Sequence, residues 1–273
     1  MLNQEIKITN YQGSEDRRPL LWYGQLAILT GLFLYIFLPI VGLVRFSGRS
    51  PKGFTFKFYQ EAFVDPEFYQ FLGNSLGSAI ATIAIAMILT TFTLYWVYLR
   101  AKWLLPWLES ISLLPFVVPS VTLGLGLIQV FNTPPFLLTG TPQLLIAAYT
   151  VVTLPYAYRA IENSLQGANV ITLTEAAESL GASWWQIFLQ IILPCVWPGV
   201  ISGGLLVLSF VLGEFTLALF LVGSSFQTFP LYINQLFSYQ PQYSMVMSLM
   251  SFLSTWLVAG ILILITKKNN SNK

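Results

Sequence analysis

The sequence predicts an all-α, polytopic membrane protein with six transmembrane helices. Of its 273 residues, 55% are hydrophobic and only 9% are charged, whereas soluble domains usually carry about 25% charged residues. A soluble domain could not bury this much apolar surface. A membrane-spanning helix needs about 20 consecutive, mostly apolar residues. Six stretches meet this requirement: 21–44, 74–98, 104–131, 143–161, 196–222 and 243–266.

The distribution of basic residues predicts that both termini are cytoplasmic. Six spans place both ends of the chain on one side, and that side would hold Lys7, Arg17, Arg18, Arg100, Lys102, Arg159, Lys267, Lys268 and Lys273. The other side would hold Arg45, Arg49, Lys52 and Lys57, so the first outer loop is an exception to an otherwise clear bias. Because Lys and Arg accumulate in cytoplasmic loops, we expect cytoplasmic tails at 1–20 and 267–273 and a single transmembrane domain at 21–266. The first apolar run is too long for a signal peptide and is expected to be retained.

Several function classes are disfavoured by what the sequence lacks. It contains no histidine, the commonest general base and metal ligand. We find no GxSxG motif and no pair of acidic residues deep in two spans, so a membrane-embedded protease or acyltransferase is disfavoured, and we expect no catalytic or metal site. A net charge of +2 without a basic patch does not indicate a nucleic-acid partner. The single cysteine, Cys195, is expected to be a small buried residue.

Small residues and prolines within the spans indicate helix packing and bends. Ser120 with Gly124, and Gly199 with Gly203, have the spacing of small residues at helix contacts. A similar stripe follows the second span at Ser75, Ser78, Thr82, Ala86, Thr90 and Thr93. Pro115 and Pro119 in the third span and Pro155 in the fourth span remove backbone donors within the membrane and are expected to bend the bundle.

A polar insert at 164–195 separates the fourth and fifth predicted spans and would face the cytoplasm. Thr172 and Glu175 have the spacing of a capping box, which predicts a helix starting near Leu173. Gly181 is the residue type expected at a left-handed helix stop. Ser183 with Gln186 repeats the capping-box spacing, which predicts a second helix up to Pro194.

One interpretation of this insert is an interfacial helix anchored by Trp184 and Trp185. The other is a helix that docks into a groove of a cytosolic partner, because Glu175-Ala176-Ala177 would allow close approach to its backbone.

The insert resembles the EAA signature of membrane subunits of binding-protein-dependent ABC importers with the type I fold. The matching residues are Glu175-Ala176-Ala177, then Gly181 after three residues, Ile191 after nine more, and Leu193-Pro194 after one more. The segment FTFKFYQEAFVDPEFYQFLGNSL before the second span is similar to the outer segment of that family. The resemblance implies a type I permease fold in the plasma (inner) membrane.

The resemblance also implies a division of labour between subunits. The EAA helix, with Glu175, Ala176, Ala177, Glu178 and Gly181, would be the coupling helix seated on a cytosolic ATPase dimer. A second permease subunit, homologous or identical, and an extracytoplasmic solute-binding protein would complete the importer. We find no GxxxxGK[ST] motif in the chain, so ATP and Mg²⁺ would be bound by the separate ATPase and not by this chain.

Glu214 is the only ionisable residue predicted to lie well inside a span. A carboxylate in the membrane is costly and by default suggests function. It is expected either to form an outer gate or pathway contact or to pack through hydrogen bonds.

The GEF and QTFPLYINQLF stretches are similar to the polyamine, iron, phosphonate and sulfate branches of the family, with a polyamine as the preferred cargo. A stand-alone carrier or channel is the alternative from a different class. Arg159 and Glu162 are expected to form a pair without a functional role, and Glu109 to lie near Arg100 and Lys102.

Overall fold

Four of the predicted spans are single long helices in the computed structural model, which describes residues 18–50 and 53–271. The first, second, fourth and sixth spans are Arg18–Ser47, Pro66–Arg100, Pro142–Gly167 and Pro241–Ser271. Each is longer than its predicted apolar stretch, because the polar residues at its ends continue the helix without adding to the hydropathy. The C-terminal tail predicted from residue 267 is therefore helical up to Ser271. Residues 1–17 of the tail predicted at 1–20 lie outside the described residues, as do Lys52 and Lys273.

The third predicted span, 104–131, is broken into two helices next to Pro119, where a bend was predicted. A short 3-10 turn, Lys102–Leu104, leads into the helix Leu105–Val117, and a second helix, Ser120–Phe131, follows at an angle of 97°. The break lies at Val118, whose backbone is extended (φ −90°, ψ 118°). The ring of a proline disfavours the helical conformation in the residue before it, so Pro119 accounts for the break.

The fifth predicted span differs from the prediction at both ends. Its helix begins at Trp184, runs through a π-helical segment at Ile187–Ile192, and continues as Leu193–Gly213. The second insert helix and the fifth span are therefore continuous, and Pro194 does not separate them. At the other end the backbone becomes extended at Glu214 (φ −79°, ψ 119°). A separate short helix, Thr216–Leu221, covers the rest of the predicted stretch.

Smaller elements cover the two ends of the bundle. The end that carries the polar insert is called the insert end. The opposite end carries two paired strands, Arg49–Ser50 and Gly53–Phe54, and is called the hairpin end. The helix Lys57–Val64 follows the strands, and the helix Phe229–Tyr239 precedes the sixth span at the same end.

The second, fourth and fifth spans form the core of the bundle. The predicted close packing at Gly199 is confirmed: a Cβ atom there would lie 2.6 Å from the carbonyl oxygen of Ala160 in the fourth span. A Cβ atom at Gly203 would lie 2.9 Å from the Ala160 side chain. Small residues let neighbouring helix backbones approach closely in membranes. These contacts fix the fifth span to the fourth, next to the insert.

Candidate functional site

The first helix of the insert begins earlier than predicted. It covers Val170–Ser179, and Asn169 precedes it in a left-handed conformation (φ 48°). The predicted start near Leu173, based on a capping box at Thr172, is therefore wrong by three residues. Val170 is only 1% exposed and belongs to the main core. Because Val170 is buried in the bundle, the helix begins there, three residues before the start that the capping box predicted.

One face of this insert helix is attached to the bundle. Val170, Thr174 and Ala177 recur at spacings of four and three residues and are all buried, as expected for one side of a helix. The hydroxyl group of Thr174 donates to the carbonyl oxygen of Val170 at 2.7 Å. It also lies 3.1 Å from the hydroxyl oxygen of Tyr95 in the second span. Ala177 therefore faces the core, and its side chain is not available to a partner.

The other face of the insert helix points away from the bundle. Glu175, Ala176 and Glu178 are exposed. Leu180, directly after the helix, is 89% exposed, more than any other large hydrophobic side chain that the structure describes. Leu180 was not among the site residues predicted from the sequence. The sequence feature that could have identified it is its large apolar side chain, since the other residues of the segment Glu178–Ser183 are polar or small.

The predicted bend at Gly181 has the expected left-handed geometry. Its φ angle is +80°. The backbone N–H of Gly181 donates to the carbonyl of Glu178 at 2.9 Å, and that of Ala182 donates to the carbonyl of Ala177 at 3.1 Å. This pair of bonds is a Schellman motif, which satisfies the last carbonyl groups of a helix. The end of the insert helix is thus fixed by its own backbone.

The second helix of the insert starts as its sequence indicated. Gln186 accepts a hydrogen bond from the backbone N–H of Ser183 at 2.8 Å, as in the predicted capping box. The ring of Trp184 packs within the protein, because it stacks on Phe188 with centroids 5.5 Å apart and planes within 5°. Phe188 in turn stacks on Phe92 of the second span at 4.4 Å. Both helices of the insert therefore pack on the second span.

Glu214 lies at the break between the fifth span and the short helix after it. One carboxylate oxygen accepts from the backbone N–H of Thr216 at 3.1 Å, and the other accepts from that of Leu217 at 2.8 Å. The residue is only 9% exposed. A carboxylate that caps the first turn of a helix satisfies N–H groups that would otherwise lack partners. These contacts favour the packing alternative for Glu214 over a pathway contact.

A second group of charged side chains lies between the third and fourth spans. Arg159 pairs with Glu162 at 3.5 Å, as predicted, and with Glu109 at 2.5 Å. Glu162 is 8% exposed and accepts a further hydrogen bond from the Tyr158 hydroxyl at 3.3 Å. The expectation that Glu109 lies near Arg100 and Lys102 missed this pairing, because residues 50 positions apart cannot be matched from sequence spacing. In the described part of the chain, no three Cys, Asp or Glu side chains could jointly hold a metal ion.

Comparison with known proteins identifies the class of transporter. Residues 91–268 match the family described as binding-protein-dependent transport system inner membrane component. The chain is 32% identical to the spermidine/putrescine transport system permease protein PotC of Haemophilus influenzae, over 89% of this chain and 96% of that protein. The chain belongs to this family of inner membrane components. It is therefore a multi-pass inner membrane permease of an ABC importer, and a solute-binding protein is implied as its partner.

Other relatives of this permease differ in their named cargo. PotC of Escherichia coli K12 is 28% identical over 75% of this chain and 79% of that protein. The 2-aminoethylphosphonate transport system permease protein PhnV of Salmonella typhi is 25% identical over 74% of this chain and 79% of that protein. The fold is similar to that of a bacterial ABC transporter involved in the import of the acidic polysaccharide alginate. That match has a TM-score of 0.67 and 17% identity and covers 95% of this chain and 98% of the other.

Proposed function

We propose that the insert is the coupling helix of this permease and that its exposed face, Glu175, Ala176, Glu178 and Leu180, contacts a cytosolic ATPase dimer. ATP and Mg²⁺ are then bound by the ATPase, and both termini of the permease are cytoplasmic. The proposal rests mainly on one observation: the exposed face belongs to a helix whose opposite face is bonded to the core of the bundle.

The attachment of the insert supports a mechanical role. The Tyr95–Thr174 contact and the stacking of Trp184, Phe188 and Phe92 connect the insert to the second span. The continuous helix from Trp184 connects it to the fifth span. A partner shifts a conformational equilibrium only through contacts that differ between the two states. Closure of the ATPase dimer would move the insert, and the second and fifth spans would move with it.

The chemistry of the exposed face supports a protein partner. Leu180 places an almost fully exposed isobutyl group in the same short segment as the exposed Glu175 and Glu178. A helix that docks into a groove uses such apolar anchors, flanked by charges that select the partner. In this proposal Ala177 and Gly181 hold the shape of the insert, whereas Glu175, Ala176, Glu178 and Leu180 make the contact.

A second permease subunit, homologous or identical, is part of the proposal. The side chains of Arg159 and Glu109 are 52% and 40% exposed although both lie on membrane-spanning helices. Charged side chains on such helices almost always face protein or water and not lipid. This supports a subunit contact or a water-filled pathway beside these residues.

For the cargo we propose a polyamine, delivered by the extracytoplasmic binding protein. Two PotC relatives support this assignment. Three rings near the break in the third span add to it: Tyr156 lies 5.4 Å from Phe116 and 5.9 Å from Phe210 between ring centroids. Aromatic faces attract ammonium groups. A phosphonate is the second candidate because of PhnV, whereas an iron or sulfate-type cargo has only the sequence resemblance in its favour.

Transport by the reconstituted complex tests both parts of the proposal. The permease, its ATPase and its binding protein are placed in proteoliposomes, and uptake of labelled spermidine and of 2-aminoethylphosphonate is compared. We expect ATP-dependent uptake of spermidine. Uptake of the phosphonate alone would overturn the cargo assignment and leave the coupling helix untouched. Deletion of residues 175–181 should abolish uptake while the chain still inserts, and retained uptake would overturn the coupling proposal.

A further inference from the structure

A cationic pocket lies at the hairpin end of the first span and has no part in the coupling described above. Its volume is about 630 Å³, and it is lined by Arg45, Arg49, Phe46 and Phe54 together with Gly42, Ser50 and Gly53. Arg45 lies in the last turn of the first span, Arg49 begins the first strand of the hairpin, and both are exposed. They belong to the basic group that makes the first outer loop an exception to the charge bias of the chain.

The pocket has a defined wall on the hairpin side. The backbone N–H of Thr55 donates to the carbonyl of Gly48 at 2.8 Å, which closes the hairpin against the end of the span. The ring of Phe54 packs directly on Gly48 and leaves no room for a Cβ atom there. The buried Ser47 hydroxyl contacts the hydroxyl of Tyr59 in the next helix. The hairpin is thus held in place by contacts on both of its sides.

The two arginines lack a carboxylate partner within the described residues. Every ion pair found there involves Lys57 or Arg159 instead. The guanidinium group of Arg49 lies 5.6 Å from the centroid of the Phe46 ring, which orients it without neutralising it. Two unneutralised guanidinium groups lining one pocket favour an anionic ligand, and their planar donors match phosphate oxygens in pairs.

The position of the pocket selects the source of that phosphate. The first span presents apolar side chains outward, with Val41 64% exposed and Val44 38% exposed immediately before Arg45. These side chains suit the acyl region of a bilayer, and the arginines follow where the headgroups begin. A ligand with a phosphate above and acyl chains below fits both surfaces.

We propose that this pocket binds the headgroup phosphate of an anionic phospholipid, with Arg45 and Arg49 as its donors. Guanidinium groups at the end of a membrane helix form charge-assisted, paired hydrogen bonds with the phosphate of such a headgroup. The bound lipid would fix the end of the first span and the hairpin relative to the membrane surface. Arg45 and Arg49 of the first predicted outer loop then have a local binding role that outweighs the general charge bias.

Native mass spectrometry of the purified transporter complex tests this site directly. The detergent-solubilised complex is mixed with equal amounts of dioleoyl phosphatidylglycerol and dioleoyl phosphatidylcholine. The detergent is then removed in the mass spectrometer, and the lipids that stay bound to the complex are counted. We expect the wild type to retain phosphatidylglycerol preferentially. Arg45→Gln and Arg49→Gln should each lower this retention about fivefold, the usual contribution of one basic residue near an anionic surface. Lys57→Gln is the matched control, because Lys57 lies at the same end but pairs with Glu61 at 3.5 Å, and its retention should equal that of the wild type.

Three results would overturn the proposal. The first is equal phosphatidylglycerol retention in the wild type and both arginine variants. The second is displacement of the lipid by millimolar inorganic phosphate, which would identify a site for the free ion. The third is an unchanged lipid profile with weaker capture of the binding protein, which would assign the arginines to that partner. If a Gln variant does not assemble, the double variant Arg45→Lys/Arg49→Lys replaces it. This double variant keeps both positive charges but loses the paired donors of the guanidinium groups. It should therefore retain less phosphatidylglycerol than the wild type.

Discussion

Tyr95 and Thr174, 79 positions apart in the chain, place their hydroxyl oxygens 3.1 Å from each other inside the protein. Tyr95 is fully buried in the second span, and Thr174 is on the inner face of the insert helix. This contact is a direct polar connection between the insert helix Val170–Ser179 and the core of the bundle. It makes the insert part of the membrane domain and not a separate loop beneath it.

Loss of the Tyr95 hydroxyl should weaken this connection without removing the ring. In Tyr95→Phe we expect the complex to lose about 1 kcal/mol of stability, the usual net value of one hydrogen bond. Transport per ATP hydrolysed should fall as well, because the insert would transmit movement less well. Thermal unfolding and the uptake-to-hydrolysis ratio measure the two effects. Tyr35→Phe, at an 80% exposed position, is the control and should change neither. A wild-type ratio in Tyr95→Phe would show that the hydroxyl contact does not carry the movement.

The bend after the insert helix should depend on the backbone of Gly181 and not on the space around it. A Cβ atom at Gly181 would meet no atom within 4 Å, yet φ is +80°. Gly181→Val should therefore cost about 1–2 kcal/mol through the left-handed conformation alone. We expect it to reduce recovery of the ATPase with the permease but not membrane insertion. Gly181→Asn should come close to the wild type, because asparagine tolerates this region. Equal recovery with the Val and Asn variants would contradict the role of the bend.

Close packing between the fourth and fifth spans should make Gly199 sensitive to a single methyl group. An added Cβ atom would meet the carbonyl oxygen of Ala160 at 2.6 Å and would force the helices apart. Gly199→Ala should lower the unfolding temperature, at a cost of about 1–3 kcal/mol for overpacking. Gly77→Ala, where a Cβ atom meets nothing within 4 Å, serves as the control and should be neutral or stabilising. Scanning fluorimetry measures the unfolding temperatures of both variants. Equal unfolding temperatures for Gly199→Ala and Gly77→Ala would disprove the close approach of the two helices.

At the hairpin end, Asp65 should make stability depend on acid pH. Its carboxylate accepts hydrogen bonds from the hydroxyls of Tyr243 at 2.6 Å and Tyr232 at 2.8 Å, and so ties the start of the second span to two later helices. Burial by itself raises the pKa of Asp65, but these bonds and two backbone N–H groups outweigh it and hold the pKa below its ordinary value of 3.8. A depressed pKa stabilises the fold above the unfolded pKa, and this contribution is lost as the pH falls through the folded pKa.

The unfolding temperature of the wild type should therefore fall more steeply below about pH 4 than that of Asp65→Asn, which carries no titrating group there. Glu61→Gln, on the neighbouring helix and in an exposed pair with Lys57, should follow the wild-type curve. Parallel curves for the wild type and Asp65→Asn from pH 7 to pH 3 would disprove the stabilising role of the carboxylate.

The positions of the spans could be predicted from the sequence because burial in lipid demands long apolar stretches. The GxxxG contact and the turn at Gly181 could also be predicted, since each depends on one residue type with a specific steric property. The bend at Pro119 could be predicted from the proline itself, whereas the break at Glu214 inside the fifth predicted span was missed. A hydropathy window averages over a break of one or two residues when both halves are apolar.

Other features depend on contacts between distant residues, and no local pattern reports them. The capping box at Thr172 was overridden because Val170 is buried by the bundle. The same burial turns Ala177 inward, although the motif alone treats it like Ala176. Asp65 was not identified at all, since its tyrosine partners are 167 and 178 positions away.

Recovery of the ATPase with variants of the exposed insert face tests the central claim most directly. The tagged permease is purified in mild detergent, and the ATPase subunit and its activity are measured in the eluate. We predict that Leu180→Asp and Glu178→Lys each release the ATPase. Val64→Asp, at a 79% exposed position of the hairpin end, should retain it. Recovery of the ATPase with both insert variants at the wild-type level would contradict the assignment of this face as the coupling surface.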